Sequence, residues 1–556
     1  MAYLGADLVA VYALGYLSRH VDATTTRRGI QPLAFFWAPF LLVHLGGQDT
    51  ITAFSMEDNS LWLRHLLNMV VQVVLATYIF WKSIGRHSMD LLISGIFVFV
   101  VSFIKYAERI WCLRCGSLEN LESSTGDQYK HKSPQLHGVD YVDYSRTVCT
   151  GLHLMPKVLA VLTSRCFHIL DECVRKDELF KLVGFELGVL HNDIYTKAVL
   201  LRTRSGIVLR FTSQIAMVIA FVLFHIAGNR QSYRRADIAV TYSLFIGGFV
   251  LEVCGVFIFL TSPWTWAWLK ARGWNRLASL SWFLFSNGGT GWSEERLLLS
   301  NYVVGQYNLK GWLEHTEHPR SFSRCLMIMV TKLSTIFGTT QEKMFWLSKL
   351  LGREYTKGDK IMDCLLPNML SGDYLRPRLL STFARLSSGV SGRNDFGNLL
   401  VTMHVWTEAH LSRYSVTDAN VSVEACRQLS RYMMYLLVTN PSLLPLDTSS
   451  VATLDRGRRS AVSDKDEFIR KLESMHPHPS TEALKELEGF WMWVIMYSAA
   501  KSRPEMHAAL LGRGGELLTF VWLLLVHLDT GVHRSALSLF RTIGRKELID
   551  DPMPGF

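Results

Sequence analysis

The chain has no dense basic tract, no RNA-binding signature and almost no strand-and-turn patterning. The first two absences set nucleic acid aside as a partner. Phosphate binding needs clustered cations, and here a net charge of +10 is spread through loops. The third absence predicts a chain built from helices. Cysteine is scattered: nine residues, an odd number at loose spacing, do not make a secreted disulfide framework. Cys112 and Cys115 form one CxxC, with no second pair at matching spacing to complete a zinc site. HExxH, GxSxG and a P-loop lysine pattern are also missing. The histidine groups His315/His318, His404/His410 and His476/His478 read as structural or loop residues, and the glycine patches at 287–292 and 512–516 as helix-cap turns. The expectation is therefore no catalytic, cofactor-binding or metal-ligating residue. Tyr3–Leu17 lacks a basic n-region and a cleavage site, which makes it a retained first span rather than a secretory signal.

What the chain does have is apolar runs in its first half. Leu33–Trp81 holds two of them around a polar connector, Gly46–Ser60. The second, Leu61–Trp81, has the length of the hydrocarbon core, about 30 Å, with Trp62 and Trp81 at headgroup level. Leu33–Leu45 is short and contains Pro39, so it crosses with a kink or dips in and returns. Leu91–Ile104, Phe211–Ala227 and Ile238–Leu260 are the further candidates; Trp264–Phe285, rich in Trp and cations, suits the interface. Hydropathy thus separates a membrane part from a soluble one. The expected fold is all-α: a membrane domain over 1–286 with about five to seven segments and a polar interval at 105–210. A helical soluble region over 287–446, a mobile linker over 447–466 and a helical domain over 467–556 complete it. Trp292–Thr339 and Gln341–Leu351 read as amphipathic helices, and Leu517–Leu528 as a buried helix too short to span.

Several stretches carry a family resemblance. LGADLVAVYALGYLSR from Leu4, FWAPFLLVHLGGQDTITAFSMEDN from Phe36 and LWLRHLLNMVVQVVLATYIFWKS from Leu61 resemble the N-terminal domain of a large plant family of membrane proteins. IKYAERIWCLR from Ile104, FELGVLHNDIYTKA from Phe185 and YSLFIGGFVLEVCGVF from Tyr242 resemble it further. RYMMYLLVTNPSLLP from Arg431 and HAALLGRGGELLTFVWLLLVHL from His507 are similar to the domain paired with it. The two are domains of unknown function 4220 and 594. The resemblance implies a plant membrane protein and supplies no catalytic residue; for a multi-pass chain of unassigned organelle the plasma membrane is the default. Members usually start with a further hydrophobic segment, and here Met1 falls near the start of what resembles their second, as in a truncated gene model.

Ionisable groups in or beside spans are the functional candidates, because hydrocarbon penalises them. Glu252 lies mid-way along Ile238–Leu260. It reads either as a pore or relay carboxylate or as a polar helix contact, with Gly247, Gly248 and Gly255 admitting a close neighbour. Asp49, Glu57 and Asp58 make an acidic mouth, or else cap and solvate the helix that starts at Leu61, with Asn59 as the other candidate cap. Lys105, Glu108 and Arg109 read as a local ion pair anchoring a helix end. Asp7 reads as a near-surface residue of its short run.

The leading expectation is a membrane-anchored scaffold or interaction protein, its partners being the lipid bilayer and a protein bound by the C-terminal helices, with oligomers allowed. The rival is an ion channel or transporter using Glu252 and the 46–60 connector. Basic loops near Arg27, Arg86 and Arg230 should face the cytosol and the acidic connector away from it. The unpaired cysteines favour a cytosolic C-terminus, the Asn420-Val-Ser422 sequon an outer one.

Overall fold

The computed structural model describes residues 2–20, 33–83, 89–121, 123, 144–163, 178–226, 235–287, 303–309, 353–371, 396–414, 421–446, 449–455, 479–513 and 516–528. They are overwhelmingly helical, as expected. The chain divides into two compact units. The first is Met1–Cys166, Phe185–Glu294 and Leu511–Gly514; the second is Phe167–Gly184, Glu295–Leu510 and Gly515–Phe556. The second unit thus takes in most of the chain after residue 294 together with an earlier segment, while 287–294 and 511–514 group with the first.

In the first unit, α1 (Ala2–His20) and α2 (Ala34–Leu45) lead through the connector to α3 (Met56–Ser60), α4 (Trp62–Ser83) and α5 (Met89–Cys115). Then come α6 (Leu118–Leu121), α7 (Tyr144–Leu162), α8 (Leu179–Tyr195, in this unit from Phe185) and α9 (Ala198–Leu201). The long helices α10 (Arg204–Ile226) and α11 (Arg235–Leu260) precede the short pair α12 (Pro263–Ala271) and α13 (Asn275–Asn287).

Four helices, α4, α5, α10 and α11, are long and apolar enough to cross a membrane. Their burial is inverted relative to a water-soluble helix. On α10, Arg210, Ser213, Met217, Ala220 and Phe224 face inward at helical spacing, while Phe211, Ile215, Val218 and Val222 are exposed. An exposed apolar stripe with polar groups inside is what lipid selects. α5 packs along α10 and also against α2 and α4, with the Ser94 hydroxyl donating to the Ala220 carbonyl at 2.6 Å. Phe36 and Phe40 of α2 join Phe224 and Phe245 in one aromatic cluster. At twelve residues α2 is about 18 Å long, well short of the hydrocarbon core.

Three sequence expectations change here. α5 does not end at Ile104 but runs on to Cys115, through the charged turn, because those charges find partners inside the unit. α10 likewise starts at Arg204 rather than Phe211. Trp264–Phe285 is two helices, not one: Gly273 takes a φ of 75° between them, a conformation that suits glycine, and α12 folds onto α13 with Trp266 against Trp282 at 4.9 Å.

The second unit contains β1 (Val303–Tyr307), β2 (Arg353–Lys357), α14 (Asp359–Ser371), α15 (Phe396–Leu411), α16 (Val421–Thr439), α17 (Thr481–Lys501), α18 (Pro504–Leu511, in this unit to Leu510) and α19 (Leu517–Leu528). α16 is central, packing against α14, α15, α17 and β1. Trp406, Trp491 and Trp493 are buried, and the Trp491 indole N–H donates to the Thr407 hydroxyl at 3.1 Å. α19 is buried from Leu517 to Val526, as its length suggested. The Ser480 hydroxyl caps α17 by accepting from the Ala483 amide.

The antiparallel pair β1–β2 corrects the helical reading of Trp292–Thr339, with Val303 opposite Lys357. Five residues are too few to show alternation, and the strand is specified by contact: a Cβ on Gly305 would collide with the Tyr435 ring of α16. Of the expected linker 447–466, residues 450–455 are helical, with Thr453 buried against Gly397. Gln341–Leu351, His315, Glu317, His318, His476 and His478 lie outside the described residues.

Candidate functional site

The six charges that meet in the first unit come from five separate segments. Lys105 and Glu108 sit one turn apart on α5, Arg210 near the start of α10 and Glu252 in the second half of α11. Asp49 belongs to the connector and Lys197 to the two-residue break between α8 and α9. Backbone bonds fix that meeting of loops: the Thr52 amide donates to the Tyr195 carbonyl at 2.8 Å, and the Lys197 amide to the Asp49 carbonyl at 3.1 Å. Gly47, with φ 70°, turns the connector inward.

The side chains then alternate in sign. Lys105 Nζ lies 2.6 Å from Glu252 Oε1, and Glu252 Oε2 lies 3.3 Å from Arg210 Nε. Arg210 also holds Asp49 through Nη2. Lys197 Nζ stands 3.7 Å from Asp49 Oδ1 and 3.6 Å from Glu108 Oε2. The path therefore begins at Lys105 and returns to α5 at Glu108: a ring of three cations and three carboxylates, every side chain no more than 10% exposed. The Lys197 ammonium also donates to the Gly47 carbonyl at 3.4 Å. Gly255 on α11 makes room, since a Cβ there would strike Arg210 and Asp49.

Electrostatics inside the ring follow from burial. Removal from water would raise the Asp49 pKa, but the charges of Lys197 and Lys105 and the Arg210 hydrogen bond overturn that and hold the carboxyl well below the usual range. For Lys197, burial lowers the pKa and Asp49 and Glu108 only partly offset it. Glu108 is the loosest member, with neither carboxylate oxygen in a hydrogen bond.

The expected local pair of Lys105 with Glu108 is replaced by two remote ones, and Arg109 turns elsewhere again. Arg109 Nη1 donates to the Leu45 carbonyl at 2.8 Å, closing the end of α2, and lies 3.3 Å from Asp7, which is therefore engaged rather than merely near the surface. Sequence reading put Glu252 along a span and Asp49 in an acidic mouth of the same candidate pathway; the fold brings both carboxylates onto Arg210. Glu57 is exposed and outside the ring. Asp58 accepts from the Phe54 amide at 3.1 Å instead of capping the helix after Leu61. Asn59 is no cap either: it is buried, and its amide donates to the Gly116 and Ile194 carbonyls at 3.1 and 2.9 Å, pinning the connector to the ends of α5 and α8. Of the three α11 glycines, Gly255 and Gly248 face neighbours, whereas Gly247 faces open space. Arg210 and Lys197 were not anticipated: one heads an apolar run and the other stands in an unremarkable YTKA.

Beside the ring lies a cavity of about 120 Å³. Asp49, Asn192 and Arg202 contribute polar groups, and Val189, Phe259 and Trp264 apolar ones. Arg202 pairs with the buried Asp193 at 2.6 Å and covers the Trp264 ring at 5.0 Å. Cys112 and Cys115 are both buried thiols at the end of α5.

Residues 1–312, which span this whole unit as far as Glu294, match the family model described as Domain of unknown function (DUF4220). The chain belongs to the DUF4220 family. A second model, Protein of unknown function DUF594, matches residues 478–530, covering α17 to α19. No curated protein and no solved structure matches the chain. The ring of this DUF4220 protein thus stands on its own geometry. Among the described residues no group of three or more His, Cys, Asp or Glu could hold a metal ion.

Proposed function

We propose that this DUF4220 protein is a multi-pass membrane carrier for a small solute, and that the charge ring is the lock that closes its binding site. The observation that supports this reading is the ring itself, set beside a cavity walled by the connector, α7, α8, α9, α12 and the end of α11. Arg210 lies about 9 Å along α10 from Arg204, and Glu252 about 12 Å before the end of α11 at Leu260. Buried ion pairs seldom add stability over an apolar core, so their best use is to specify or switch an arrangement. A standing cation pore through Glu252 fits poorly, because Lys105 and Arg210 already neutralise that carboxylate.

The reading carries a topology. Four crossings put the ends of α4 and α10 and the starts of α5 and α11 on one side, and the arginines 86, 230 and 234 that fall between them in sequence assign that side to the cytosol. The connector, the ring and the chain leaving α11 then lie toward the other side, contrary to the cytosolic C-terminus expected from the cysteines. Plant origin is what the family resemblance implies, the plasma membrane is the default compartment only, and no chemical step is assigned. The second reading, a membrane-anchored interaction protein, is supported by the share of the chain given to the second unit, with its closely packed α14–α19.

The test is reconstitution in liposomes. Saturable, protein-dependent solute uptake that Glu252→Gln slows at least tenfold supports the carrier. A steady ionic current sinks it in favour of a channel, and correctly inserted protein with neither activity leaves the interaction protein.

A further inference from the structure

We infer that the cavity beside the ring binds a small solute of zero net charge, with a polar head for the Asn192 amide and an apolar body. The inference rests on the carrier reading and names its substrate class. Size comes first: about 120 Å³ is close to the roughly 150 Å³ of engineered cavities that take benzene, which suggests a solute of about six to nine non-hydrogen atoms.

Charge decides the class. The two ionised groups in the wall are already matched: Asp49 by Arg210 and Lys197, and Arg202 by Asp193. A free ammonium or carboxylate entering here would leave water without gaining an uncommitted counter-charge. A neutral head meets no such penalty. The Asn192 side chain lines the cavity and has no hydrogen-bond partner among the described residues, so it offers both a donor and an acceptor. Val189, Phe259 and Trp264 provide the wall for the apolar body.

Three probes with the same apolar body separate the alternatives: 3-methylbutanamide, 3-methylbutanoate and 3-methylbutylamine, each titrated against the melting temperature of the full chain in detergent. The amide should raise the melting temperature saturably, with the two ions at least tenfold weaker. Asn192→Leu should abolish the amide's effect, and Ala198→Leu, which fills the cavity from another wall, should do the same. Equal shifts from amide and ions, no shift from any probe, or a shift surviving both substitutions would overturn the inference. Amide binding without uptake in liposomes would sink the carrier while leaving the site; uptake of another solute without amide binding would do the reverse.

Discussion

Lys105 Nζ and Glu252 Oε1 stand 2.6 Å apart, joining the central helix α5 to α11 deep in the membrane unit. Neither residue stands alone, since Arg210 also holds Glu252. Replacing Glu252 by Gln leaves two buried cations short of a partner and should cost about 3–5 kcal/mol. The double variant Lys105→Met, Glu252→Gln should recover part of that loss. Unfolding of all three proteins in detergent checks it, and strictly additive losses would argue against a shared ring.

Asn59 has one amide serving two carbonyls from distant helix ends. Asn59→Ala should cost about 1–3 kcal/mol for each carbonyl left dry, and Asn59→Asp more, because it turns an acceptor toward both. Thermal unfolding reads the difference; a neutral Asn59→Asp would contradict the geometry.

In the second unit, Gly305→Ala drives a methyl into the Tyr435 ring and should destabilise by about 1–3 kcal/mol. Tyr435→Leu in the same protein should restore part of the loss by vacating that space. If Gly305→Ala alone melts like the parent, the β1–α16 contact is wrong.

Burial lowers the imidazole pKa of His404 to about 4 and that of His507 to about 3. The unfolded chain then binds more protons than the folded one below about 6.5. The stability these neutral rings contribute is present in full above about 6.5 and is lost as the pH falls through 4. About 3 kcal/mol is at stake for His404. His507 stacks on Trp522 at 4.7 Å, so indole fluorescence should report its protonation. The double variant His404→Gln, His507→Gln should lose less stability than the parent between about pH 6.5 and 4, leaving the carboxylates to shape the limb below that.

Glu516 tilts the opposite limb. Burial raises its carboxyl to about 7 despite hydrogen bonds with Tyr432, Tyr435 and Asn440. A raised folded pKa means stability that is full below about 4.5 and lost as the pH climbs through 7. Glu516→Gln should melt higher than the parent at pH 8, by about 2 kcal/mol, and no higher at pH 5. A pH-independent difference would show that Glu516 ionises freely.

Hydropathy and length, which are local properties, determined the helical class, the membrane character and the buried nature of Leu517–Leu528. Glu252 and Asp49 were legible as single suspects, because a carboxylate in or beside an apolar run costs free energy wherever it goes. Their partners were not. Nothing within a helical turn distinguishes Lys197 from a solvated lysine, and the one local partner that spacing offered Lys105, namely Glu108, was the wrong one. Ion pairing depends on distance in space, and five separate segments had to converge before any of these charges had a neighbour. The extension of α5 to Cys115 has the same cause: a charged turn ends a membrane helix unless the fold supplies counter-charges. Composition thus settled which segments seek lipid. Only the tertiary structure, by bringing Asp49, Lys197 and Arg210 between α5 and α11, decided where charge could be kept inside it.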